Sequence, residues 1–112
     1  MKLLFTALLL LFASPSFATD YAARVVGISN GDTITVLKAD KTQVKVRLHG
    51  IDAPETGQDF GSRAKQAASD LAFGKDVTVK VKDTDRYGRT VADVFLPDGV
   101  WLNREILELG MA

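Results

Sequence analysis

Residues 21–48 read YAARVVGISNGDTITVLKADKTQVKVRL, and this stretch decides the fold. Its first part, Tyr21 to Ile28, carries Val25, Val26 and Ile28 and reads as a strand. Asn30-Gly31 follows, the commonest two-residue hairpin signal, because both residues tolerate positive φ. Thr33-Ile34-Thr35-Val36-Leu37 then alternates with period two, as a half-buried strand should. After a polar turn at Lys38 to Lys41, Val44, Val46 and Leu48 alternate with Lys45 and Arg47. The prediction is a three-stranded meander.

Downstream of the meander the period changes. Between Asp59 and Phe73, the residues Phe60, Ala64, Ala67, Ala68, Leu71 and Ala72 fall close to helical spacing, and Gly74 stands where a helix would stop. Val77, Val79 and Val81 restore strand alternation with Lys80 and Lys82 facing out. Asp83 to Gly88 reads as a charged loop, Thr90 to Leu96 as a fifth strand, and Pro97-Asp98-Gly99 as a turn. A short helix from Leu102 to Leu109 ends at Gly110. The predicted fold is mainly β with α: a five-stranded Greek-key barrel of the OB type, with a helix after the third strand and a short C-terminal helix. Trp101 and the phenylalanines are expected in the core, and Tyr87 outside it.

Upstream, residues 1–18 have the three-part pattern of a secretory signal peptide. Met1-Lys2 is basic, Leu3 to Phe12 is almost wholly apolar, and Ser16-Phe17-Ala18 supplies small residues for cleavage. The apolar run is shorter than the roughly 20 residues a membrane span needs. The expectation is an exported chain, periplasmic or secreted, whose folded domain is residues 19–112, without stable membrane association after cleavage. The 112-residue chain has 14 basic and 14 acidic residues and no cysteine. Non-specific nucleic-acid binders usually carry a basic excess, so any such contact here must be concentrated in a site. Without disulfides, the fold must hold through its core.

Five charged residues stand near strand ends or in the connecting loops: Asp32, Arg47, Asp52, Glu55 and Arg89. Attack on a phosphodiester meets negative charge, so its barrier is electrostatic and positional. Asp32, Asp52 and the backbone carbonyl of Ala53 offer hard oxygen ligands for a divalent cation. Arg47 and Arg89 suit phosphate oxygens, and Glu55 could align and deprotonate water. Each also has a plainer reading: Asp32 completing a turn, Arg47 facing solvent, Asp52 and Glu55 as loop residues, Arg89 as a solvated charge. A calcium loop at Asp83-Thr84-Asp85 lacks the ligands at its later positions. His49, the sole histidine, argues against a His-based zinc site or a Ser-His-Asp triad.

Three motifs, Asn30-Gly31-Asp32-Thr33, Val46 to Glu55 (VRLHGIDAPE) and Asp85-Arg86-Tyr87-Gly88-Arg89, in this order and spacing, resemble the staphylococcal nuclease (thermonuclease) family over Tyr21 to Ala112. The resemblance implies an OB-type barrel and calcium-dependent cleavage of DNA and RNA to products ending in 3′-phosphate. It implies Asp32, Asp52 and the Ala53 carbonyl as calcium ligands, and Arg47, Arg89 and Glu55 as catalytic residues. Arg86 and Tyr87 then fall at the substrate phosphate, and a monomer is expected. Two departures are visible. Asn30 stands where some members carry an acid, which predicts weaker calcium binding, and the sequence stops at Ala112, where members continue into an aromatic-containing segment and a last helix. The rival expectation is an inactive OB-type nucleic-acid-binding module, which would need a basic groove and stacking aromatics.

Overall fold

In the computed structural model, residues 20–53 and 60–110 are described. The expected signal segment, Pro54, Glu55 and the start of the first predicted helix lie outside them. Strands β1 (Asp20–Asn30), β2 (Thr33–Lys38), β3 (Gln43–Leu48), β4 (Asp76–Thr84) and β5 (Thr90–Phe95) form a closed barrel in the order β1-β2-β3-β5-β4. Helix α1 (Gly61–Ala72) follows β3, and α2 (Leu102–Glu108) follows β5. All strand pairs are antiparallel except β3 with β5. This is the barrel that the sequence predicts, with β4 running two residues further, through Asp83 and Thr84, before the charged turn.

The period-two pattern dictates which side chains fill the barrel. Val25, Ile34, Val36, Val46, Leu48, Val79 and Val94 are wholly inaccessible, and Leu102 and Ile106 of α2 join them. Each fully buried aliphatic of this size contributes about 1.5–3 kcal/mol relative to exposure. The adjacent valines of β1 are explained by a bulge: Val25 pairs with Val36 and Gly27 with Thr35, so Val26 has no register partner. An extra residue of this kind interrupts the alternation without ending the strand.

The aromatic residues depart from expectation. Phe60, Phe73 and Trp101 are exposed, at 61%, 54% and 38% of their surface. Helix α1 buries only Gly61, Ala64, Ala68 and Ala72, so small residues bring it close to the barrel and leave no room there for large rings. Gly74, at φ 78°, turns the chain at the end of α1, and its N–H donates to the Val25 carbonyl.

Asn103 fixes α2. Its Oδ1 accepts the Val94 N–H at 3.0 Å, while Nδ2 donates to the carbonyls of His49 (2.9 Å) and Ala92 (3.1 Å). One buried amide thus ties the helix to β5 and to the turn after β3. Asn103→Leu leaves a buried N–H and a carbonyl unpaired, and the expected loss is about 2–4 kcal/mol in a urea titration. A loss below about 0.5 kcal/mol, the range of an ordinary surface substitution, would contradict this account of α2.

Candidate active site

The β1–β2 hairpin builds one wall. Its register pairs Asn30 with Thr33, so the turn residues are Gly31 and Asp32 rather than Asn30 and Gly31, and neither has positive φ. Asn30 contributes through its side chain instead, its Oδ1 accepting the Asp32 N–H at 3.0 Å, a turn built on an Asx bond. Gly31 is required for space: a Cβ there would lie 2.8 Å from that of Ala64 and 2.9 Å from that of Ala53. The turn is therefore clamped between α1 and the chain after β3.

Asp32 is buried, with 6% of its surface accessible. Its Oδ1 accepts the Thr33 hydroxyl at 2.9 Å and its Oδ2 the Ala53 N–H at 2.9 Å. Its backbone carbonyl accepts the Leu48 N–H at 2.8 Å. Each carboxylate oxygen has two lone pairs, so both keep acceptor capacity. Asp32 completes the turn and also holds the 51–53 segment against it.

Arg47 pairs in register with Thr33 on one side and Val91 on the other. Its guanidinium does not stand out in solvent. Nη1 donates to the carbonyls of Leu48 (3.0 Å) and Ile51 (2.6 Å), and Nη2 donates to Asp52 Oδ1 at 3.2 Å. Asp32 Oδ2 lies 3.7 Å from Nη1. Asp52 itself is 90% exposed at its side chain. Asp32, Arg47, Asp52 and Ala53 are thus one cluster, and Arg47 and Asp52 line a cleft that also includes His49, Asp85 and Val91.

Arg89 reaches the same cleft through Asp85. Asp85 Oδ2 accepts Arg89 Nε at 2.7 Å, and Oδ1 accepts the N–H groups of Tyr87 and Arg89, each at 2.9 Å. Partial burial works against the ionised carboxyl, but these bonds and the Arg89 charge outweigh it and hold Asp85 below its ordinary value. Tyr87 is 73% exposed, with the guanidinium groups of Arg86 and Arg89 over its ring at 5.4 and 5.6 Å. Glu55 lies outside the described residues. Among the described residues, no three His, Cys, Asp or Glu side chains converge as a metal cluster. The available donors are two carboxylates and a backbone carbonyl, all hard oxygens that suit calcium or magnesium rather than zinc.

Sequence reasoning passed over Thr33 and Asp85, the two residues that orient Asp32 and Arg89. Asp85 carries a legible signal, since an Asp followed two residues later by an exposed Tyr and three later by Gly is a common Asx turn. Asp93 was passed over as well: largely buried in β5, it sits 3.8 Å from His49 Nδ1 and 3.6 Å from Lys82 Nζ, and accepts the Trp101 indole N–H at 3.3 Å.

The profile of the family described as "Staphylococcal nuclease homologue" matches residues 45–112, which spans β3, α1, β4, β5, α2 and the arginine-bearing turns. The chain belongs to the staphylococcal nuclease family. It is 48% identical over 91 residues to a protein of Shigella flexneri named micrococcal nuclease, covering 81% of this chain and 51% of that one. It is 50% identical over 97 residues to the protein ParB of Escherichia coli, covering 87% and 50%. It is 43% identical over 113 residues to an uncharacterized endonuclease of Haemophilus influenzae, covering 99% and 63%. The chain therefore spans about half to just under two thirds of these relatives.

The Asp85 clamp has a pH signature. Because the folded protein depresses this pKa, the clamp's contribution to stability is present above the unfolded value of about 3.9. It disappears as the pH falls through the lower folded value. The stability gap between the native chain and Asp85→Asn should therefore be constant from pH 7 to 5 and close below pH 4, as read by chemical denaturation at each pH. A gap that does not change down to pH 2 would show that Asp85 is not ionised in the clamp.

Proposed function

We propose that the protein is an exported endonuclease that hydrolyses phosphodiester bonds of DNA and RNA with calcium as cofactor, leaving 3′-phosphate ends. It acts as a monomer in the periplasm or outside the cell. The observation that carries this reading is the Asp32–Arg47–Asp52 cluster, which gathers two carboxylates and a guanidinium at one cleft beside the Asp85–Arg89 pair. Family membership supports the nuclease chemistry. A binding module has no need of two carboxylates at its cleft, since two negative charges against one guanidinium repel phosphate unless a cation neutralises them.

Asp32, Asp52 and the Ala53 carbonyl would hold the calcium ion, with water and phosphate oxygens completing the six to eight ligands it takes. When bound, the ion neutralises phosphate charge and steadies the oxygen that gains negative charge. Arg47 and Arg89 donate to the non-bridging phosphate oxygens, and these bonds strengthen as charge builds there. Glu55 takes the proton from the attacking water. The P–O bond to the 5′ oxygen breaks, that oxygen takes a proton from solvent and leaves as a hydroxyl, and the phosphate stays on the 3′ side. Arg86 and Tyr87 hold the neighbouring phosphate at the mouth of the cleft. Thr33 and Asp85 do not touch substrate in this scheme; they set the positions of Asp32 and Arg89.

Supercoiled plasmid and a defined RNA are the substrates for the test. Cutting should require calcium, stop with excess chelator, and give ends that a polymerase extends only after phosphatase treatment. Glu55→Gln should lower turnover by about 10²–10⁴-fold with the fold retained, the range of a lost general base. Undiminished cutting in chelator, or a Glu55→Gln variant as fast as the native chain, would refute the scheme.

A further inference from the structure

Arg47 presents a conflict that the proposed function leaves open. The phosphate-binding role needs a free guanidinium, yet four oxygens already face this one. They are the carbonyls of Leu48 and Ile51, Asp32 Oδ2 and Asp52 Oδ1. Two carboxylates and backbone carbonyls are also the kind of donor set that a hard divalent cation seeks. The guanidinium supplies one positive charge against two negative ones, so the pair remains under-neutralised.

The two ends of the guanidinium are not equivalent. Nη1 is anchored to the main chain of the turn after β3, with bonds of 3.0 and 2.6 Å. Among the described residues Nη2 donates only to the Asp52 carboxylate, at 3.2 Å, and that side chain is 90% exposed. Asp32, by contrast, is fixed by the Ala53 N–H and the Thr33 hydroxyl. Whatever draws Asp52 toward Asp32 therefore breaks the Nη2 bond first and leaves the Nη1 anchor in place.

We propose that Arg47 is a built-in competitor for the cation site: a divalent ion taken up by Asp32 and Asp52 releases Nη2 from Asp52 and makes it available to phosphate. This rests on the metal-dependent reading above. Metal binding then has two effects in one step, neutralising the carboxylates and arming the arginine. Phosphate should bind well only after the metal has. The arrangement also sets the metal affinity, because the resident positive charge opposes the entering one.

The test is a calorimetric titration of calcium into the full chain and into the variants Arg47→Lys and Arg47→Gln, with circular dichroism as the check of fold. Arg47→Gln, which removes the charge, should bind calcium about tenfold more tightly or better, the scale for a unit charge acting on a divalent ion roughly 5 Å away through water-like dielectric. Arg47→Lys, which keeps the charge, should bind like the native chain. Unchanged or weaker binding by a folded Arg47→Gln would overturn the proposal while leaving the metal site itself intact. No binding by any of the three would overturn the metal reading and this proposal together.

Should Arg47→Gln fail to fold, the native chain gives the answer by nitrogen-15 resonances of the arginine side chains. Calcium should shift those of Arg47, and inorganic phosphate should then shift them again, but only with calcium present. Arg47 resonances that stay fixed through calcium saturation, or that respond equally to phosphate alone, would overturn the proposal.

Discussion

The buried carboxylate of Asp32 is the contact on which the site depends. It is nearly inaccessible, sits in a two-residue turn, and joins the hairpin to the end of β3 and the segment that follows it. Its Oδ2 fixes the Ala53 N–H, its Oδ1 orients Thr33, and its backbone carbonyl receives the Leu48 N–H at the end of β3. Burying a charge is costly unless it is paired and hydrogen-bonded. Here the two amide and hydroxyl bonds and the guanidinium of Arg47 satisfy that requirement. The same contacts place the 51–53 segment beside the hairpin, so the bonds that satisfy the buried carboxylate also assemble its neighbours.

The barrel supplies what local chemistry cannot, which is the meeting of Arg47 with the second arginine. The single parallel pair, β3 with β5, sets Arg47 opposite Val91, two residues beyond Arg89. The turn that carries Arg86, Tyr87 and Arg89 begins at Asp85, whose carboxylate lines the same cleft as Arg47 and holds Arg89. The aliphatic core and the small-residue face of α1 hold these parts at fixed separations. Gly31 shows how tight the fit is, since even a methyl group would meet Ala53 and Ala64 below 3 Å.

Much of this was legible in the sequence. Strict alternation in Thr33–Lys38 and Gln43–Leu48, and the break to helical spacing before Gly74, gave the elements and their order. Other features were hidden for identifiable reasons. The Asn30-Gly31 pair announces a hairpin, but its register and the reason for its glycine depend on Ala53 and Ala64, which no local rule can supply. Trp101, Phe60 and Phe73 were expected in the core because rings are usually apolar ballast; the alanine face of α1 leaves no room for Phe60 and Phe73, and Trp101 instead lies over Phe95 with its indole N–H on Asp93. Arg47 read equally well as a solvent-facing residue, and only the curl of the chain through Leu48 and Ile51 turns it toward Asp52. Asn103 and Asp93 were not legible at all, since the partners of Asn103 lie up to 54 residues away. Asp52 and Arg89 were singled out by their places at a strand end and in the charged loop, and the motif then gave them roles, but their partners Arg47 and Asp85 were not readable from those places.

The chemistry attributed to the cleft depends on negative charge at Asp32, not merely on the shape of its side chain. Asp32→Asn separates the two, because the amide keeps an oxygen for the Ala53 N–H while removing the charge that a cation and Arg47 require. The decisive measurement is the rate of plasmid cleavage by this variant at saturating calcium, alongside its circular dichroism spectrum. The account predicts a native spectrum with a loss of about 10²-fold or more, the scale of removing one preorganised electrostatic contact. A folded Asp32→Asn chain that cleaves at the native rate would contradict it.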